Sequence, residues 1–113
     1  MRYLSLYHPA GGEEGAMPDP EHMAAMGALI EEMTAKGKLE STGPLAPRAQ
    51  CFRVTLKDGQ LTTASEPDRA GGYAFLVANS KKEMVADVRR FLEIAGDGTC
   101  EIRLIPDFGP PPS

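Results

Sequence analysis

The chain has 113 residues, a length that suits one domain with a single packed core. Its composition is ordinary for a globular protein, and the net charge of −4 with scattered Lys and Arg argues against nucleic acid or an anionic membrane as the main partner. No apolar run approaches the roughly 20 residues of a membrane span, and no leader-like pattern precedes the first strand. We therefore expect a cytoplasmic protein.

The first third of the chain predicts a strand, a loop and a helix. Residues 2–8 alternate in a way that favours a β-strand. The glycine- and proline-rich segment 9–18 predicts an exposed loop. Asp19 is a typical N-cap, a proline follows at the first helical position, and methionines then recur at three- and four-residue spacing. A helix is therefore expected from there to Gly37.

The middle of the chain predicts three strands. A short strand is expected at 38–43. Residues 51–57 and 60–64 then flank Asp58-Gly59, a dipeptide that favours a tight hairpin because both positions tolerate positive φ. A polar connection leads from this hairpin to the next strand.

Residues 71–95 hold a strand followed by a helix. The strand at 72–78 is rich in aromatic and aliphatic side chains. Ser80 and Glu83 have the spacing of a capping box, in which each side chain satisfies a backbone N–H at the start of the helix. Gly96 ends the helix.

A last alternating strand is expected at 100–105, which gives the order strand, helix, strand, hairpin, strand, helix, strand. We expect one domain over 1–105 and an exposed, proline-rich tail over 106–113. Two amphipathic helices on one face of an otherwise antiparallel sheet predict an α+β fold, ferredoxin-like with an extra β-hairpin.

Alternation along the strands assigns side chains to two sheet faces. The helix-facing set is expected to be Leu4, Leu6, Phe52, Val54, Leu56, Ile102 and Leu104. The opposite face would carry Tyr3, Ser5, Tyr7, Arg53, Thr55, Glu101, Arg103 and Ile105. This second face is either an ordinary solvated surface or the place where two subunits meet and enclose a polar-lined pocket, since tyrosine and arginine are favoured at interfaces.

Several segments together resemble the YCII-related, or DGPF-domain, family across nearly the whole chain. They are RYLSLY, EHMAAMGALIEEM, GKLESTGPLAP, KDGQL, GGYAFLVANSKKEMVADVRRF and GDGTCEIRLIP. The resemblance implies a dimeric ferredoxin-like α+β barrel, and it implies no specific reaction because the family is largely of unassigned function. Where many members carry Asp-Gly-Pro-Phe, this chain has Ser65-Glu66-Pro67-Asp68, in which Glu66 or Asp68 could supply a carboxylate in its place.

The same resemblance implies a catalytic role for His22, which matches a histidine near the start of the first helix in the YciI-like branch and is expected to act with an acidic partner. The helix dipole favours a neutral imidazole at this position, whereas Asp19 favours the charged form. The simpler alternative is a surface histidine. His8, at the end of the first strand, is a candidate for the pocket mouth.

Other chemistries have no motif in this sequence. The two histidines, Cys51 and Cys100 do not have the spacing of a metal site, and we expect two buried thiols. Phosphate-binding and nucleophile-elbow motifs are absent from the sequence. We therefore expect neither a metal nor another cofactor.

Three hypotheses follow. The first is a homodimer that binds a small molecule in a pocket between the sheet faces, lined by Tyr7, His8, His22, Arg53, Tyr73 and Arg103. The second is a weak acid–base enzyme, with His22 as base, Glu66 or Asp68 orienting it and the glycine-rich loop as a lid. The third is a structural or regulatory interaction protein.

Overall fold

The computed structural model describes residues 1–10, 20–65 and 70–106. Outside these residues lie most of the predicted glycine-rich loop, the N-cap Asp19, the carboxylates Glu66 and Asp68, and the tail beyond its first residue. The described elements are β1 (Arg2–Pro9), α1 (Pro20–Ala35), β2 (Leu39–Pro44), a 3₁₀ helix (Arg48–Gln50), β3 (Phe52–Lys57), β4 (Gln60–Ser65), β5 (Gly72–Val77), α2 (Lys81–Ala95) and β6 (Gly98–Ile105).

Four strands form one antiparallel sheet in the order β2-β5-β1-β6, and β3 pairs with β4 in a separate hairpin. The α+β class, with two helices on a mostly antiparallel sheet, is confirmed. The hairpin turn is also confirmed, because Asp58 and Gly59 both have positive φ, 51° and 76°. This turn geometry matches the twist of the flanking strands.

Two hydrogen bonds cap the start of α2. One is the bond that the capping-box sequence predicts, and the other has a different backbone donor from the one predicted. The Ser80 hydroxyl accepts a bond from the Glu83 backbone N–H at 3.1 Å, as expected. The Glu83 carboxylate reaches one residue further back and accepts from the Asn79 backbone N–H at 2.8 Å. This bond, followed by the interaction with Lys38, lowers the pKa of Glu83. The Gly96 N–H bonds to the Leu92 carbonyl and closes the helix.

The predicted faces of β1 are the reverse of those in the structure. Tyr3 and Ser5 are only 8% and 6% exposed and lie under the helices, so Leu4 and Leu6 face away from them. The reason is that both sets of side chains on β1 can be buried, and alternation alone does not say which set the helices cover. The larger tyrosine bodies fill the space beneath the helices. Tyr7 follows the same phase and places its ring edge-on to Phe91, 5.2 Å away.

The hairpin strands also differ from the prediction. Phe52, Val54 and Leu56 were expected to face the helices, yet they are 69%, 52% and 69% exposed. The hairpin does not join the sheet, so its apolar side chains have no helix to contact. On β6 the predicted phase is correct for Ile102, which packs against the core.

The core lies between the sheet and the C-terminal half of α1 together with α2. It consists of Tyr3, Leu29, Met33, Leu39, Leu76, Ala78 and Met84. Across the two helices, the Arg90 guanidinium donates to the Glu32 carboxylate, which Lys36 also contacts at 3.4 Å. These hydrogen bonds lower the pKa of Glu32 to about 2, with that from Arg90 contributing most. The C-terminal half of α1 is thus held to α2.

Alanine substitutions at two glycines should change the free energy of unfolding in opposite directions. A Cβ at Gly98 would lie 2.7 Å from the His8 carbonyl oxygen and 2.8 Å from the Tyr7 ring, so G98A should lower the free energy of unfolding by about 1–3 kcal/mol. A Cβ at Gly27 would meet no atom within 4 Å, so G27A should raise it by about 0.5–1 kcal/mol through helix propensity. Denaturant unfolding measures both. Equal effects of the two substitutions would contradict the described packing.

The ion pair between the helices predicts a pH dependence. The pKa of Glu32 falls from 4.5 to about 2 on folding, so the pair contributes fully above pH 4.5 and its contribution is lost as the pH falls towards 2. R90Q should return the Glu32 pKa most of the way to 4.5 and flatten the loss of Tm over this range. The carboxyl ¹³C shift of Glu32 reports the pKa directly.

Arg89 offers the matched control, since it lies next to Arg90 on α2 and pairs with Glu93 at 2.9 Å. R89Q removes an equal charge without touching Glu32, and it should leave the Glu32 titration unchanged. An equal rise of the Glu32 pKa in both variants would mean that general charge, not the Arg90 contact, sets it.

Candidate functional site

A cavity of about 890 Å³ lies on the helix side of the sheet. It is bounded by the N-terminal half of α1, by α2, by the helix-facing residues of β1 and β5, and by residues 44–47. We call it the helix–sheet cleft. This is not the position expected from the sequence, which placed the pocket on the face that the helices leave uncovered.

The cleft exists because α1 is held to the rest of the molecule at one end. Leu29 and Met33, in its C-terminal half, are buried, and Glu32 pairs with Arg90. In the N-terminal half Met23 is 51% exposed and Met26 is half-buried, although both were expected to contribute to the core face. Both methionines border the cleft instead. Several residues of this half are alanine or glycine, whose small side chains do not fill the space above the sheet.

The walls of the cleft are mainly apolar. Met26 and Ile30 of α1 face Leu76 of β5, with Val88 and Phe91 of α2 on the third side. A concave apolar surface of this kind favours the burial of an apolar ligand, because apolar area leaves water on binding.

The polar groups of the cleft include three from neighbouring sheet positions. Ser5, Tyr7 and Cys100 all border it, and Cys100 lies directly opposite Tyr7 across β1 and β6. Burial raises the pKa of Tyr7, and the nearby Cys100 and Asp97 charges act in the same direction. Burial also raises the pKa of the Cys100 thiol, opposed by a hydrogen bond from Ser5. At neutral pH all three groups are therefore uncharged and able to hydrogen-bond.

A carboxylate also borders the cleft, but its charge is compensated. Asp87 is 8% exposed, and both of its oxygens accept hydrogen bonds from the Lys38 ammonium at 3.2 Å. Lys38 lies 3.3 Å from Glu83 as well, and its pKa is raised mainly by the bonds to Asp87. This network satisfies Asp87 within the protein, so the cleft does not require a cationic ligand.

The structure brings only part of the predicted site together. Tyr7 and His22 border the cleft. Tyr73 lies at its edge, but it pairs with Leu6 and its ring packs against Phe75, so its side chain belongs to the uncovered sheet face. His22 does so from the first turn of α1, and Tyr7 lies on the helix-facing side, not on the uncovered face to which it was assigned.

The other predicted residues lie elsewhere. His8 follows Tyr7 on β1 and so belongs to the uncovered sheet face. Arg103 is on that face too, beside Glu101 at 3.7 Å, with its side chain 67% exposed. Arg53 lies on the exposed hairpin. Glu66 and Asp68 are outside the described residues.

Sequence reasoning missed Ser5, Cys100 and Phe91 as cleft residues. The phase error on β1 moved Ser5 to the wrong face, and Cys100 was interpreted only as a buried thiol. Phe91 of α2 was assigned to the apolar face that packs in the core, and no cavity was expected next to it. The useful signal was Tyr3-x-Ser5-x-Tyr7, an alternating series of hydroxyl-bearing residues on a central strand.

No protein-family model matches the chain, and no curated protein matches it in sequence. Within residues 1–10, 20–65 and 70–106, no helix is long and apolar enough to cross a membrane. The same ranges contain no group of three or more His, Cys, Asp or Glu side chains placed to hold a metal ion. The function is therefore inferred from the geometry of the cleft and of the surfaces around it.

The raised pKa of Cys100 makes a testable prediction. At a pH below 9.0 the folded chain should be alkylated by iodoacetamide at Cys100 more slowly than the unfolded chain, because only the thiolate reacts. The ratio of folded to unfolded rates should rise as the pH passes above 9.0. S5A should lower the folded rate further by removing the hydrogen bond that opposes the shift. Peptide mass spectrometry measures each rate, and a pH-independent ratio would show that access alone limits the reaction.

Proposed function

We propose that this protein is a small cytoplasmic homodimer, of the YCII-related kind and ferredoxin-like fold, that binds an uncharged and mainly apolar small molecule in the helix–sheet cleft. The observation that carries the proposal is the cleft itself, with apolar walls and a cluster of neutral hydrogen-bonding groups on the sheet. The strand order β2-β5-β1-β6, with both helices on one face, supports the ferredoxin-like assignment. The hairpin is an insertion in the sequence between β2 and β5, which are neighbours in the sheet.

The size of the cleft is suited to a small molecule. Its volume of about 890 Å³ lies within the range of roughly 300–1,000 Å³ that small-molecule sites occupy. Larger polymers need an open groove with charged or stacking groups along it, whereas most of this lining is aliphatic or sulfur-containing.

The chemistry of the lining indicates the class of ligand. An apolar body would lie against Met26, Ile30 and Phe91, and one neutral polar group would be directed at Ser5 and Tyr7. A hydroxyl, phenol or carbonyl group fits, because the protein groups there can donate or accept without carrying charge. A carboxylate or ammonium group would lose its hydration without gaining an opposite charge, since Asp87 is already paired with Lys38.

A tryptophan substitution tests the cleft. Met26 is half-buried and borders it, so M26W should place a bulky indole ring in the cleft and weaken binding of the neutral dye N-phenyl-1-naphthylamine about tenfold or more. Ala25 is next on the same helix but exposed and outside the lining, so A25W should change the affinity by less than about twofold. Fluorescence titration gives both dissociation constants. Equal weakening by the two variants, or no dye binding by the unsubstituted protein, would refute the proposed site.

The acid–base enzyme remains a second candidate because His22 borders the same cleft as Ser5 and Tyr7. An imidazole at the end of an apolar cleft can exchange a proton with a bound neutral carbonyl compound. The candidate is tested by screening such compounds for turnover with the unsubstituted protein and with H22Q. Turnover that H22Q abolishes while dye affinity is kept would favour the enzyme, and equal turnover by both proteins would exclude a role for His22.

A further inference from the structure

The hairpin formed by β3 and β4, here called the hairpin arm (residues 52–65), exposes a strip of large apolar side chains. All residues of both strands are exposed. Phe52, Val54 and Leu56 alternate onto one face, and Leu61 lies directly opposite Leu56 on that face. Leu56 and Leu61 are 69% and 68% exposed. The strip is therefore continuous across both strands.

Such a strip is unusual on an uncovered hairpin. The four side chains together expose on the order of 500 Å² of apolar surface, the size at which exposed patches mark interaction sites. Alternation gives the hairpin one apolar and one polar face, which is the pattern of a sheet with one face covered. Two strands alone are only marginally stable in water. The hairpin arm thus requires a surface to pack against.

Among the residues that the structure describes, no helix covers the second face of the main sheet. Its centre is apolar, with Leu4 opposite Phe75 and Leu6 opposite Tyr73 on the two middle strands. We call it the open sheet face, because the described helices lie on the other side of the sheet. At its edges it carries the ion pairs Arg2–Glu40 and Arg103–Glu101, at 2.7 Å and 3.7 Å. An apolar centre with a polar rim is the usual anatomy of an interface.

We infer that the hairpin arm of one copy packs across the open sheet face of a second copy, and that the second copy's hairpin arm does the same in return. This inference rests on the homodimer in the proposed function and names the surfaces that form it. The fit in size supports it, since β3 and β4 are joined by six residue pairs and the middle strands β1 and β5 also by six. Two-stranded apolar strips of equal length can stack face to face at about 10 Å.

The area also favours two reciprocal contacts over one. Each contact covers the strip on the hairpin arm and a similar area of the open sheet face, so two contacts bury on the order of 2,000 Å², within the range of stable dimers. Packing one hairpin arm only against the other would bury about half of that area, below the usual size of a specific interface. It would also leave both open sheet faces bare. A two-fold axis generates the reciprocal arrangement without further surfaces.

The first test is the oligomeric state of the full chain by sedimentation equilibrium. The unsubstituted protein should be a dimer, and L56D combined with L61D should weaken dimerisation at least about a hundredfold, because buried carboxylates replace the directly opposed leucine pair of the strip in both contacts. The matched control is T55D with T62D, a directly opposed and exposed pair on the other face of the same hairpin, which should leave the dimer intact.

The second test locates the contact and does not depend on a disruptive substitution. Leu56→p-benzoylphenylalanine in a mixture of ¹⁴N- and ¹⁵N-labelled copies should form photo-cross-links between copies, to peptides of β1 or β5. Thr55→p-benzoylphenylalanine should give no such product. Cross-links to the partner's hairpin arm, or none at all, would overturn the reciprocal arrangement.

The outcomes separate this inference from the proposed function. A dimer that survives L56D with L61D overturns the inference and leaves the homodimer standing. A monomeric unsubstituted protein overturns both the inference and the homodimer. Neither result affects the helix–sheet cleft, whose dye binding is measured independently.

Discussion

The central strand β1 turns Tyr3 and Ser5 towards the helices, and because successive side chains of a strand point to opposite faces, Leu4 and Leu6 are turned away. The two sides of the molecule depend on this orientation. It places the Tyr3 ring in the core under the helices and lines the cleft with the hydroxyl groups of Ser5 and Tyr7. It also gives the open sheet face an apolar centre. One strand therefore determines the chemistry of both surfaces for which we propose a function.

The attachment of α1 determines the space above that strand. Leu29, Met33 and the Glu32–Arg90 pair hold the C-terminal half of the helix, whereas its N-terminal half carries small residues and methionines. Methionine is flexible and its sulfur is polarisable, so a lining of methionines adapts to ligands of different shape. The same feature leaves α1 with little core contact at its N-terminal end. Binding of an apolar molecule would supply the contacts that the sheet does not.

Most of the secondary structure could be predicted from the sequence because its signals are local. The Asp58-Gly59 turn, the Ser80 cap and the glycine after α2 each depend on a few neighbouring residues. The faces of β1 and the position of the hairpin could not be predicted, since these depend on which surfaces meet in three dimensions. His22 and Tyr7 were predicted to line a pocket on the uncovered sheet face, whereas the cavity that they border lies on the other side of the sheet. Arg53 and Arg103 were grouped with them, but Arg53 lies on the separate hairpin, and Tyr7 lies on the sheet face opposite Arg103.

The central claim is that an uncharged apolar molecule binds between α1 and the sheet. Methionine methyl NMR tests it most directly, because Met23, Met26 and Met33 border the cleft. Met84 is buried in the core and does not border the cleft, so it serves as the internal control. During titration with N-phenyl-1-naphthylamine, the ¹³C-methyl signals of Met23 and Met26 should shift and saturate together while that of Met84 stays in place. Unchanged cleft methyl signals, or equal shifts at Met84, would contradict the account.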